Sequence, residues 1–151
     1  MAGSRRQFLI DSLGVGLVAL LPATPGEATP AMLEEAIRAV VGEAALNKGR
    51  VRLDVPPLVE NGNTVSLVVA VDSAMTATDY VKTIHVFNER NPQPYVMAVH
   101  LGPRAGTARI ATRIRLADSQ TLTAIVEMSD GTFWSTSADV VVTLAACVEG
   151  I

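Results

Sequence analysis

Four stretches of this chain alternate apolar and polar residues with the two-residue period of a half-buried strand. From Thr64 to Val71, the residues Val65, Leu67, Val69 and Val71 share one face. From Arg109 to Leu116, the residues Ile110, Thr112, Ile114 and Leu116 oppose Arg109, Ala111, Arg113 and Arg115. Leu122, Ala124, Val126 and Met128 repeat the pattern, as do Ala138, Val140, Val142 and Leu144. Val81–Phe87 and Tyr95–Leu101 are β-rich runs without strict alternation. Turn signals separate these segments: Glu60-Asn61-Gly62-Asn63, Asn91-Pro92-Gln93-Pro94, Gly102-Pro103 and Ser129-Asp130-Gly131. A different period precedes them. Leu33, Ile37, Val40 and Val41 make one stripe of a helix over Met32–Val41, with Glu34 and Glu35 expected in its first turn, where the helix dipole favours acids. The prediction is a mostly β chain. About seven short strands form an antiparallel two-layer sandwich, with one N-terminal helix. The last strand is expected to end near Leu144.

The first residues read as an export signal. Arg5 and Arg6 precede an apolar run, Leu13–Leu21, which Pro22 breaks, and Gly26-Glu27-Ala28 offers small residues for cleavage. The run is about half of the roughly 20 apolar residues that a membrane-spanning helix needs. Paired arginines indicate the twin-arginine route for folded proteins. Residues 1–28 are therefore expected to be removed. What remains is one domain over 29–144 and a tail over 145–151, periplasmic, with no membrane association after cleavage.

Removing residues 1–28 takes two arginines and two acids, which leaves ten basic and thirteen acidic side chains and a net charge of −3. That balance argues against nucleic acid as a partner. Two histidines, His85 and His100, each lie in an apolar segment and are expected to be hydrogen-bonded structural residues. With a single cysteine and no carboxylate cluster at ligand spacing, no metal site is expected. Arg109, Arg113 and Arg115 form a same-sign row on one strand face, a candidate anion path or partner contact.

The chemistry concentrates on Cys147, the only cysteine. It has no partner within its own chain and sits four residues before the end of the sequence. On a flexible tail in an oxidising compartment, such a thiol is suited to attack, to being loaded, or to pairing with another molecule. Export in the folded state, with no cofactor motif, points to a partner subunit acquired before export.

The motifs taken together resemble the SoxY family, the sulfur-carrier subunit of periplasmic thiosulfate oxidation. The resemblance runs through Pro56-Pro57-Leu58-Val59-Glu60-Asn61-Gly62, Asn91-Pro92-Gln93-Pro94, Thr112–Ala117, Ser129-Asp130-Gly131 and Val140–Thr143, ahead of Cys147. It implies an immunoglobulin-like sandwich paired with a SoxZ-like subunit as a heterodimer or heterotetramer. It implies that Cys147 is the covalent attachment point for sulfur, with no other cofactor and no catalytic activity in the chain itself. It further implies SoxAX, SoxB and SoxCD-type enzymes as successive partners. The tail departs from the family's usual Gly-Gly-Cys-Gly-Gly. Ala145, Ala146, Val148 and Glu149 flank the cysteine here, and the Glu149 charge is expected to disfavour both thiolate and anionic cargo. Two alternatives stand beside the carrier: a paralogue with an altered carrier role, and an immunoglobulin-like binding module whose cysteine forms an intermolecular disulfide.

Overall fold

The computed structural model describes residues 28–145. Helix α1 spans Pro30–Val41. It begins two residues earlier than its apolar stripe suggests because Thr29 caps it, its hydroxyl accepting from Met32 N–H at 3.3 Å, and Pro30 takes the first helical position. Glu34 and Glu35 consequently lie in the second turn, not the first. Gly42, at φ +60°, ends the helix and donates to the Arg38 carbonyl at 2.8 Å.

Among the described residues, nine strands follow: β1 (Leu46–Asn47), β2 (Val51–Asp54), β3 (Leu58–Val59), β4 (Val65–Val71), β5 (Val81–Asn88), β6 (Tyr95–His100), β7 (Arg109–Ile114), β8 (Gln120–Met128) and β9 (Phe133–Val142). The larger sheet runs β1-β9-β8-β5-β6, with β3 also pairing with β9, and the smaller runs β2-β4-β7. The long pairings are antiparallel, as expected for a sandwich of hairpins. The two-residue strands β1 and β3 instead run parallel to β9. Segments that short carry no alternation by which a sequence could announce them.

The sheets pack face to face. Val65, Leu67, Val69 and Val71 of β4 meet Leu122, Ala124, Val126 and Met128 of β8 in one core, joined by Ile84 and Val86 of β5 and Val140 of β9. This is the immunoglobulin-like sandwich. Phe87 and Ile125 are equally inaccessible yet lie outside that core. They face the other side of the larger sheet, where α1 lies against β5. A strand covered on both faces needs apolar residues at consecutive positions, which explains the unbroken run of β5. On β7, Ile114 is buried but Ile110 only half so, and Thr112 is exposed. The reason is that β7 and β6 are edge strands with few residues opposite them. The last strand stops at Val142, two residues short of the expected end.

Candidate functional site

Cys147, Ala146, Val148 and Glu149 lie outside the described residues, as do Arg5 and Arg6. Ala145, exposed, is the last residue described before the cysteine. The structure defines the root from which the tail departs.

That root is held by backbone and side-chain hydrogen bonds. Val141 N–H donates to the Pro57 carbonyl at 2.9 Å and Thr143 N–H to the Val59 carbonyl at 3.0 Å. Thr143 Oγ1 donates to the Glu60 carbonyl at 3.1 Å. Gly62 N–H donates to the Leu144 carbonyl at 2.8 Å, and Gly62's own carbonyl accepts from Leu116 N–H at 2.9 Å. On the other side of β9, Ser119 Oγ accepts from Val142 N–H at 2.9 Å. Pro56 and Pro57 lack N–H groups and so suit the short ladder of β3 at the margin of the sheet.

Asn91 joins this end of the molecule to the β5–β6 connection. Its Nδ2 donates to the Arg115 carbonyl at 2.8 Å. Its Oδ1 accepts from Ala117 N–H and from Gln120 Nε2, each at 2.9 Å. Three widely separated sequence motifs, 56–62, 91–94 and 112–117, therefore meet beside the end of β9. The fourth, Ser129-Asp130-Gly131, is the hairpin at the opposite end of β9. There Gly131 adopts φ +81°, and Thr132 donates from its hydroxyl and its N–H to the Asp130 carboxylate, holding that group below its ordinary pKa.

Arg109 and Arg113 stand exposed on β7, opposite Ala70 and Ser66 of β4, and Arg115 follows the strand, also exposed. Among the described residues, the ion pairs are Arg50 with Asp79, Lys82 with Glu127 and Arg90 with Asp118. None involves the β7 row. Arg113 and Arg115 line a shallow cleft with Asn91, Gln93, Tyr95 and Met97, between the two sheet edges. Arg115 belongs to the tail-root end through Leu116 and Gly62, whereas Arg109 lies at the far end of its strand.

The histidines take structural positions. His85 Nδ1 meets the Tyr95 hydroxyl at 2.7 Å, and its ring stacks near Phe87 and Tyr95. Burial lowers its pKa; the Glu127 charge opposes that shift, and the neighbouring His100 adds to it. His100 Nδ1 meets Thr83 Oγ1 at 3.1 Å. Among the described residues, no three His, Cys, Asp or Glu side chains group as metal ligands. Sequence reasoning overlooked Asn91, Ser119 and Gly62 as organisers of the tail root. Their partners are 23 to 82 residues away in sequence, beyond any local signal.

Residues 37–147 match the model of the sulfur oxidation protein SoxY family. The chain belongs to the SoxY family. The match ends on the single cysteine. Among solved structures, the fold resembles "the sulfur carrier protein SoxY from Chlorobium limicola f thiosulfatophilum", with a TM-score of 0.62 and 24% identity over 76% of this chain and 98% of that one. It also resembles superoxide reductase (neelaredoxin) from Ignicoccus hospitalis, at TM-score 0.56 and 16% identity over 62% of this chain and 80% of that one. A putative superoxide reductase from Thermotoga maritima gives TM-score 0.53 and 20% identity over 65% and 87%. These likenesses are of fold. No curated protein matches the chain. As a SoxY member, it is a carrier protein of sulfur oxidation.

Proposed function

We propose that this SoxY protein carries thiosulfate-derived sulfur as conjugates of Cys147. The observation that carries this reading is the family match, which runs through to residue 147 while the motifs behind it converge on the root of the same tail. Loading joins the Cys147 thiolate to the sulfane sulfur of thiosulfate. One S–S bond forms, and two electrons leave to the c-type haem of a SoxAX-type enzyme. The product is a cysteine S-thiosulfonate. A SoxB-type hydrolase then adds water, breaks the S–S bond to the sulfonate and releases sulfate and two protons, leaving a persulfide. A SoxCD-type enzyme takes six electrons from that remaining sulfane to a c-type cytochrome, three waters supplying the oxygens and six protons leaving, and a second hydrolysis of the resulting S-sulfonate releases sulfate and frees Cys147. The chain itself catalyses none of these steps, and the sulfur adduct is its only prosthetic group. Its setting is the periplasm, reached through the twin-arginine signal, in a pair with a SoxZ-like subunit.

Mass spectrometry of the mature protein from thiosulfate-fed cells tests the reading. Adducts of one sulfur and of one thiosulfonate on the tail peptide are the expected result. A bare Cys147 under every growth condition would refute it.

A further inference from the structure

One buried polar atom in the cleft between the sheet edges lacks a partner. Asn88 closes β5 and is 1% exposed. It follows Ile84 and Val86 at two-residue spacing, so its side chain points between the sheets, as theirs do. There it forms the inner end of the cleft that the exposed Arg113 and Arg115 line from outside. Among the described residues, no donor meets its Oδ1. A buried amide atom left unpaired is costly, and folded proteins rarely keep one without a reason.

The rim of the cleft carries two charges of one sign. The ion pairs among the described residues involve neither Arg113 nor Arg115. Two positions apart at the end of β7, their Cα atoms are at most about 7 Å from each other. Two guanidiniums so placed repel one another unless an anion lies between them. Among the described residues, no acid lines the cleft. The backbone on both sides is held. Arg113 pairs with Ser66 of β4, and the Arg115 carbonyl accepts from Asn91 Nδ2 at 2.8 Å. Asn88 N–H donates to the Pro94 carbonyl at 2.9 Å. Met97 and Ile114 supply apolar walls between rim and amide, and low polarity strengthens charged contacts.

We propose that Arg113, Arg115 and Asn88 form a non-covalent binding site for a small divalent oxyanion of the thiosulfate and sulfate class. The two guanidiniums take the charge through N–H donors, in the geometry that suits oxyanions. Asn88 supplies the inner contact. An amide exchanges its oxygen and its NH2 group by a half-turn about its last bond. With no hydrogen bond on Oδ1, nothing at that atom opposes the turn that brings the NH2 group to the anion. A tetrahedral oxyanion directs oxygens several ways at once, and so meets both guanidiniums and the amide together. The site goes beyond covalent carriage on Cys147: it holds a free anion, and its occupancy does not need the thiol.

The test uses the mature protein carrying Cys147→Ser, with its companion subunit, so that no covalent loading occurs. Calorimetric titrations with sodium thiosulfate and with sodium sulfate are run at one ionic strength, set by sodium chloride. Saturable binding at one site per chain is the expected result. Arg113→Gln/Arg115→Gln is expected to weaken the Kd at least about tenfold. Asn88→Leu is expected to weaken it about fivefold while leaving the melting temperature no lower, because it removes an unpaired buried atom. Arg109→Gln, on the same strand but outside the cleft, is the control and should keep the parent Kd. Binding of both anions supports a site for oxyanions in general; binding of thiosulfate alone supports one that also reads the sulfane sulfur. A parent protein that binds neither anion overturns the site. So does an equal loss in the Arg109 variant and the double variant, which is diffuse charge attraction. An Asn88→Leu variant that binds within about twofold of the parent removes the amide from the site and overturns the three-residue assignment. None of these results bears on the carrier reading, which rests on the mass of the tail peptide.

Discussion

His85 shows how a titratable side chain is bound into a fold by its neighbours. It sits mid-strand on the helix-facing side of the larger sheet, with Tyr95 on its Nδ1 and Phe87 beside its ring. Burial favours its neutral form and lowers its pKa from the usual 6.5. The folded state therefore binds fewer protons than the unfolded chain as pH falls. The neutral-His contribution is complete above about pH 6.5 and is lost as pH drops through the lowered folded value. The urea midpoint should fall between pH 7 and pH 5, and His85→Gln should flatten that fall. A variant with an unchanged pH profile would show that other groups set it. Asn91 makes the opposite use of polarity. One amide satisfies three groups from the 115–120 segment, and so fixes the loop that supports the tail root.

At the scale of elements, the contrast is between β5 and α1. Strand β5 is buried on both faces, against the smaller sheet through Ile84 and Val86 and toward the helix through Phe87. Helix α1 has no buried residue of its own, and Met32 is 44% exposed. A helix of three turns is marginal in water without packing to hold it. The helix is therefore the first element to open. Its amides are expected to exchange with deuterium far faster than those of β5 and β8, which should approach the rate of global unfolding. Equal protection in helix and strands would show that α1 is locked into the core. The parallel two-residue ladders of β1 and β3 flank β9 at opposite ends. The β3 ladder matters more, because it fixes the last turn of chain before the tail.

The whole molecule is polar in the geometric sense. Strand β9 leaves the Ser129-Asp130-Gly131 hairpin at one end and delivers the tail at the other, where three separate motifs meet. The thiol lies beyond the last described strand in sequence. Cys147→Ser is accordingly expected to leave the melting temperature and co-purification of the companion subunit unchanged while abolishing sulfur loading. Loss of the companion in that variant would instead point to a disulfide-linked assembly. The alternation of Val65–Val71 and Leu122–Met128 was legible because each strand has one face in the core and one toward a polar environment. That of Arg109–Leu116 was only half fulfilled, since an edge strand has too little opposite it to bury Thr112 or all of Ile110. The start of α1 was misread because capping by Thr29 and Pro30 extends the helix beyond its apolar stripe. Of the arginine row, the structure brings Arg115 to the tail-root end with Arg113 beside it in the same cleft, and leaves Arg109 remote.

By itself the sequence determined the longer strands β4 to β9, the sandwich, the single cysteine and the family, because each is written in local periodicity, in composition or in the order of motifs. Only the tertiary structure decided that Gly62, Asn91 and Ser119 brace the point where the tail departs, and that Asn88 shares a cleft with Arg113 and Arg115. Those facts depend on hydrogen bonds and register between segments far apart along the chain. Only folding makes such pairings, and no local pattern encodes them.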